Sequence, residues 1–536
     1  MRDFELPGRS PVYAANGMIA TTNPQAALTA VEILRAGGNA MDAAIAGAAV
    51  LSVTEPYNMG IGGDVFVLYA PATQDDVLAY NGSGYAPLRA TAAWYAEHGM
   101  AAIPAASAHA VTIPGAVDAW VRLNADHGRK SLEELLEPAI TLAEDGYPVS
   151  DVVSYYWQQA TAHLKRDPAA AAIFLPGGRA PARGSLHRQP ALACTLRRIG
   201  REGRAVFYEG AVAQELVDRL QQAGGLHSLE DFALYRGEYV TPIQTDYRGY
   251  DIFECPPNGQ GIAALLMLNV LAGFRLNGLD PACAQRLHLE VEAARLAYRD
   301  RDLLIGDSAH HPAPVQELLS EAYAAYLRGQ VDPHRALGEL PESPFPRHSD
   351  TTYISVIDRD RNAVSFIGSL FHSFGSGIAG LESGVVLHNR GFGFRTAAGH
   401  PNAIGPRKRP LHTIIPGMAR KDGRTALSFG VVGGRYQPLG HAHVLSNIID
   451  FGLDLQEAVD LGRVYPEDGL VQVERGIADR TAMDLAGYGH QVVRRAEAGD
   501  HDGGPIGAAS IVGIDWQAGM LIGAADPRTD GCALGY

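Results

Sequence analysis

The run Asp350-Thr351-Thr352-Tyr353-Ile354-Ser355-Val356-Ile357-Asp358 decides how this chain is read. A hydroxyl residue opens a strand-like run deep inside a long chain. The residues just before it, 341–350, are broken by Pro341, Pro344 and Pro346. That arrangement suits a protein that cuts itself between Asp350 and Thr351. The freed Thr351 would carry a nucleophilic hydroxyl and an α-amine base on one residue, a known solution to the weak nucleophilicity of a hydroxyl. The plainer reading is that Thr351 and Thr352 are β-branched residues starting a strand. The rest of the chain chooses between them.

Beyond Thr351 the pattern is β-rich. Residues 353–357, 363–367 and 384–387 are short apolar strand candidates, and Asp358-Arg-Asp-Arg-Asn362 is a hairpin turn. Helical patterns return at 439–451 and 455–463. On the N-terminal side, residues 24–50 read as two helices broken at Gly37-Gly38-Asn39. The second is rich in small residues and suited to burial. The glycine loop Gly60-Ile-Gly-Gly-Asp64 precedes a strand at 65–69, the wrong order for a dinucleotide site, so a structural role is expected. Residues 132–224 read as mostly helical with an insertion at 176–184, and residues 237–254 as strands. Residues 256–261 cap an apolar helix at 262–271, followed by another at 288–299. Helices, then strands, then helices predict a layered α/β architecture.

The composition is that of an ordinary globular protein, with 46% hydrophobic and 19% charged residues. A chain of 536 residues fits about three or four domains, or one large α/β unit with insertions. A formal charge of −15 argues against a general nucleic-acid binder, and Arg407-Lys408-Arg409 is interrupted at once by Pro410. The N-terminus has no apolar signal region, and no unbroken apolar run of about 18 residues predicts a membrane span. Cys194, Cys255, Cys283 and Cys532 are scattered, with no C-x-x-C pair, and read as buried thiols in a reducing compartment. The expected location is the cytoplasm. His441-Ala-His443 has no carboxylate-rich set around it in sequence, so no metal is expected there.

The chain resembles the γ-glutamyltranspeptidase family of N-terminal-nucleophile hydrolases nearly end to end. The resemblance is carried by Gly17-Met-Ile-Ala20, Gly37-Gly-Asn-Ala-Met-Asp-Ala-Ala44, Gly62-Gly63-Asp64, Phe207-Tyr-Glu-Gly210 and Gly306-Asp307. It continues with Asp350-Thr-Thr-Tyr, Asn362-Ala-Val, Phe374-Gly-Ser-Gly377, Glu382-Ser-Gly384, Arg409-Pro-Leu411, Gly433-Gly434 and Asp526-Pro-Arg528. The resemblance implies an αββα four-layer sandwich made as one precursor. Cleavage would give a large subunit, 1–350, and a small catalytic subunit, 351–536, that stay together as a heterodimer or a dimer of heterodimers. It implies Thr351 as nucleophile, Ser369 as a nearby hydroxyl in place of a family threonine, and Gly433 and Gly434 as oxyanion donors. No cofactor is implied.

Substrate recognition departs from the family pattern. Ser83 stands where an arginine holds the α-carboxylate of γ-glutamyl substrates. Phe371, Arg390 and Gly393 occupy the positions that bind the α-amine, and His412-Thr413 replace paired serines. A glutamyl headgroup would enter with its charges unpaired, which is costly when buried. Arg390, assisted by His412 or His372, is better suited to the carboxylate of a small anionic amide. For Arg390 the structural alternative is pairing with a carboxylate such as Glu382. The local pattern is similar to the oxamate amidohydrolase branch, with cephalosporin acylases as other relatives. The expectation is an autoprocessing threonine amidohydrolase. Its alternatives are a glutathione-hydrolysing γ-glutamyltransferase, a glutaryl-type acylase and an inactive metabolite-binding scaffold. A conventional serine hydrolase is excluded by the lack of a G-x-S-x-G elbow.

Overall fold

The computed structural model describes residues 5, 8–341, 350–495 and 505–536. The proline-broken approach to the junction lies, from 342 to 349, outside them. Two seven-stranded antiparallel sheets form the centre. One runs, edge to edge, through Cys532–Gly535, Met18–Thr21, Asp350–Ile357, Ala363–Phe371, Asp64–Ala70, Leu78–Gly82 and Glu238–Val240. The other runs through Val12–Ala14, Met520–Ala525, Ala508–Asp515, Arg424–Val432, Gly417–Lys421, Tyr250–Glu254 and Ile243–Tyr247. Both sheets contain strands from before and after residue 350, so the two expected subunits share both of them.

Period-two side chains sort into layers. Tyr353, Ile357, Ile367, Phe66 and Met18 meet Met418, Val512, Leu521 and Phe253 in the apolar layer between the sheets. Ile354, Val356, Val364 and Phe366, on the opposite face, pack under the helices Pro24–Arg35, Ala40–Thr54, Ala116–His127 and Leu132–Asp145. Phe429, Val431, Ile511 and Ala524 of the second sheet pack under Gly261–Ala272, Ala284–Leu304 and Gln437–Ile449. The architecture is therefore the expected αββα sandwich. All 15 residues of Ala40–Thr54 are buried, and a Cβ on Gly47 would sit 3.3 Å from Ile354. Small residues let this helix lie against the strand that begins at Asp350. Asn39 and Asp42 start it with a reciprocal capping box.

Most expected elements are present, including the hairpin at 358–362, where Asp358 accepts from the backbone of Asp360 and Asn362. Residues 384–387 are not a strand. They make only isolated bridges, Ala379 to Val386 and Gly62 to Leu387. Val385, Val386 and Leu387 are all buried because they fill the helical layer, which removes the alternation a sheet would require. The cysteines also differ from expectation, since only Cys255 is buried and Cys194 is exposed. Among the described residues no helix is long and apolar enough to cross a membrane.

Candidate active site

The hairpin of Asp350–Ile357 and Ala363–Phe371 brings Thr351 and Ser369 to the same end of one sheet. Asp350 pairs with Phe371, and the register shifts between Asp350 and Thr352. At that irregularity the Asp350 carbonyl accepts two hydroxyls. Thr351 Oγ1 donates at 2.6 Å and Ser369 Oγ at 2.8 Å. Ser369 Oγ is itself oriented by the backbone N–H of Phe371 at 2.8 Å. Thr351 is 1% exposed. The Ser369 hydroxyl polarises the carbonyl towards attack at carbon, and Thr351 Oγ1 lies against the same group.

The second sheet supplies the opposite wall. Arg424–Val432 ends in Gly433 and Gly434, with φ of +125° and +58°. A Cβ on Gly433 would lie 2.7 Å from the Gly507 backbone, so only glycine fits. The helix Gln437–Ile449 starts just beyond. Gln437 Nε2 reaches Thr351 Oγ1 at 3.4 Å, while its Oε1 accepts from Ile415 N at 2.9 Å. Gln260 donates to the carbonyls of Thr413 and Gly434 at 2.6 and 2.9 Å, and Arg301 donates to Gln260 at 2.7 Å. One amide thus fixes the 413 loop against the glycine pair. A cavity of about 50 Å³ is bordered by Asp350, Thr351, Gly433 and Glu55.

Arg390 is wholly buried. Its Nη1 donates to Thr413 Oγ1 at 2.8 Å, and its guanidinium lies 4.2 Å over the ring centroid of Phe371. Nε and Nη2 meet no hydrogen-bond partner among the described residues. Glu382 is not its partner; the backbone of that residue is held by Glu215 instead. Burial pushes the guanidinium down to about 9, opposed by the charge of Asp64. Phe371 sits at φ +79°, a strained conformation for an aromatic residue, directly opposite Asp350.

Asp64, expected to be structural, is part of the same assembly and pairs with Ser369 across the sheet. Its Oδ2 lies 2.9 Å from His412 Nε2 and 3.2 Å from His388 Nδ1, and its Oδ1 accepts from Gly84 N at 3.1 Å. Burial opposes ionisation of Asp64, but His388 and His412 outweigh it and hold the carboxyl well below the usual range. His412 is pushed down to about 3 by burial and by Arg390, so it is a neutral donor to Asp64. His388 Nε2 faces the Thr112 carbonyl at 2.8 Å.

The remaining expected residues are placed as follows. Ser83 donates to Asn81 Oδ1 at 2.7 Å and accepts from Asn258 Nδ2 at 3.1 Å, in a network that braces His412 through the Asn258 carbonyl. His372 is half-buried, accepts from Asn389 Nδ2 at 2.7 Å and leans on Phe392. His441 and His443 face different carboxylates, Glu254 at 2.6 Å and Glu290 at 3.0 Å. His288, Glu292 and His490 converge elsewhere. There His288 Nδ1 and His490 Nε2 are 2.7 Å apart, hydrogen-bond contact and tighter than two ligands on a tetrahedral ion, which stand about 3.3 Å apart.

Similarity to known proteins agrees with this geometry. A family model described as gamma-glutamyltranspeptidase matches residues 26–536. The glutathione hydrolase-like YwrD proenzyme of Bacillus subtilis is 37% identical over 533 residues, covering 98% of this chain and 99% of the relative. The oxamate amidohydrolase proenzyme of Klebsiella pneumoniae is 33% identical over 535 residues, covering 98% and 99%. The crystal structure of a cephalosporin acylase from Bacillus halodurans shares 38% identity and superposes with a TM-score of 0.93, covering 100% of this chain and 99% of that one. A hydroxyl-lined strand end inside an αββα sandwich, matched over its full length by proenzymes and acylases, makes this chain an N-terminal-nucleophile hydrolase of the gamma-glutamyltranspeptidase family.

Proposed function

We propose that the chain cuts itself between Asp350 and Thr351, and that the freed threonine hydrolyses a small anionic amide of the oxamate type. The observation that carries the substrate reading is Arg390, buried on Phe371 with Nε and Nη2 unpartnered. Two free N–H groups on a planar fork match one carboxylate, and an ammonium in the same place would be repelled.

In the mature enzyme the Thr351 hydroxyl attacks the substrate amide carbon and its α-amine takes the proton. The N–H groups at Gly433 and Gly434 would stabilise the oxyanion. Such a donor typically contributes about 3–4 kcal/mol to the transition state. The amine leaves with a proton, an ester to Thr351 remains, and water hydrolyses it. Gln437 holds the hydroxyl in place. Because both sheets contain strands from each side of the cut, the two segments remain one body as a heterodimer. A cytoplasmic setting belongs to this proposal.

The test combines one variant and one panel. Wild type should run as two bands on a denaturing gel, and Thr351→Ala as one inactive full-length band; an alanine variant still split at this bond would mean that an external protease cuts. The processed enzyme should turn over oxamate, or another small carboxylate-bearing amide, far more efficiently than glutathione, a γ-glutamyl anilide or a glutaryl amide. High kcat/KM on glutathione with little on amides lacking an α-amine would return the chain to γ-glutamyl chemistry.

A further inference from the structure

Self-cleavage poses a problem that substrate turnover does not. In the uncut chain the Thr351 nitrogen is a planar amide whose lone pair is delocalised, so it cannot accept the hydroxyl proton. Another acceptor is required. The cavity of about 50 Å³ beside the junction touches both Asp350 and Thr351 and has room for water. Its wall includes one carboxyl set deep in the protein, Glu55, which is 3% exposed.

Glu55 ends the buried helix Ala40–Thr54. One oxygen accepts from Thr22 Oγ1 at 2.9 Å, the other from Asn58 Nδ2 at 2.9 Å. Asn23 adds a third side-chain hydrogen bond, which leaves one of the carboxylate's lone pairs for water. Three residues on, the turn after Glu55 grips the strand that presents Ser369, since the Asn58 carbonyl accepts from Leu370 N at 2.9 Å. The carboxyl is thus fixed relative to the hydroxyl pair on the scissile carbonyl. Burial pushes it up to about 7, against the hydrogen bonds from Asn58 and Thr22 and with the negative charge of Asp530. A base of that strength is well matched to proton transfer near neutral pH.

We propose that Glu55, through water in this cavity, takes the proton from Thr351 Oγ1 when the uncut chain attacks its own Asp350 carbonyl. The inference rests on the reading of Asp350–Thr351 as the self-cleavage site. As the Oγ–C bond forms, the hydroxyl proton passes by way of water to Glu55, and Ser369 steadies the oxyanion. The C–N bond then breaks, and the same proton returns to the Thr351 nitrogen, leaving an ester and a free amine. Hydrolysis of the ester by water restores the hydroxyl and leaves Asp350 with a carboxylate terminus. No oxidant or co-reactant is needed.

The test follows full-length chain from cell-free translation as it converts to two bands, from about pH 5 to about pH 8, since only the ionised carboxyl accepts a proton. Other charged or titratable groups around Glu55 are Asp530, Asp350, Arg528, Tyr57, Tyr147 and Tyr156. The three tyrosines are all raised above their usual range by burial and do not titrate here. The wild-type rate should rise through about pH 7 and level off. Glu55→Gln should be slower by about 100-fold or more and lose that rise, with its melting temperature checked alongside. Glu55→Asp should recover part of the rate and the pH dependence. A wild-type rate flat across the range, or the same rise in the glutamine variant, overturns the proposal even if the variant is poorly stable. Cleavage of Thr351→Ala would instead overturn the reading of the junction on which it rests.

Discussion

Arg390 carries a positive charge into a fully buried position with one hydrogen bond and an aromatic ring for support. Desolvating a guanidinium is costly unless its charge is balanced, and the nearest balance is Asp64, itself shared with His412 and His388. That poorly balanced charge, with two N–H groups unused, is what supports the proposed grip on an incoming carboxylate. Arg390→Lys should keep the charge but lose the two-point grip, and Arg390→Gln should lose more. We expect transition-state stabilisation to fall by about 2–5 kcal/mol in the glutamine variant, read as kcat/KM on an anionic amide and on its uncharged analogue. The loss should be confined to the anionic substrate, and self-cleavage should survive, since the junction brings no anion to Arg390. Equal losses on both substrates would mean that Arg390 supports the fold alone.

At the scale of elements, the hairpin of Asp350–Ile357 and Ala363–Phe371 does what neither strand can do alone. Its register places Ser369 beside the junction, and the irregularity at Asp350 turns that carbonyl towards both hydroxyls. Ser369→Ala should therefore slow self-cleavage by about 100-fold or more, the cost of removing one such donor. Ser369→Thr, which keeps the hydroxyl, should stay close to wild type. The rate at which the full-length band disappears measures both. An alanine variant that processes at the wild-type rate would remove Ser369 from the mechanism and leave it as a strand residue.

At the scale of the molecule, the deep core holds several neutral histidines. Burial pushes His412 down to about 3, and His187, His227, His443 and His490 down to about 4. In the unfolded chain each would have a pKa of about 6.5, so between these values the unfolded state binds more protons. Stability must then rise with pH across that window and be lost as pH falls from about 6.5 towards 4. Glu55, raised to about 7, acts in the opposite direction together with the raised carboxyls of Glu254, Asp358 and Asp460, but among the described residues these four face nine lowered histidines, since His109, His127, His163 and His400 are lowered as well. The urea midpoint should be clearly lower at about pH 5 than at about pH 7. A midpoint unchanged between the two would mean that these rings are protonated in the folded protein.

The sequence by itself determined the elements whose signal is local. The apolar small-residue helix at 40–50, the turn at 358–362, the helix after Gln260 and the hydroxyl opening the strand at 351 follow from periodicity, capping and turn chemistry. The family and its αββα class were legible through the ordered family blocks. Tertiary structure decided what depends on approach between distant segments. Residues 384–387 look like a strand because they are apolar, but burial on every side comes from the helical layer above them. Asp64 looked like the end of a glycine turn, and only its contacts with His388 and His412, more than 300 positions away, draw it into the site. The unpartnered N–H groups of Arg390, the Gln260 clamp and the placement of Glu55 beside the junction have the same origin. Hydrogen-bond satisfaction and desolvation depend on which surfaces meet in three dimensions, and no residue's neighbours along the chain contain that information.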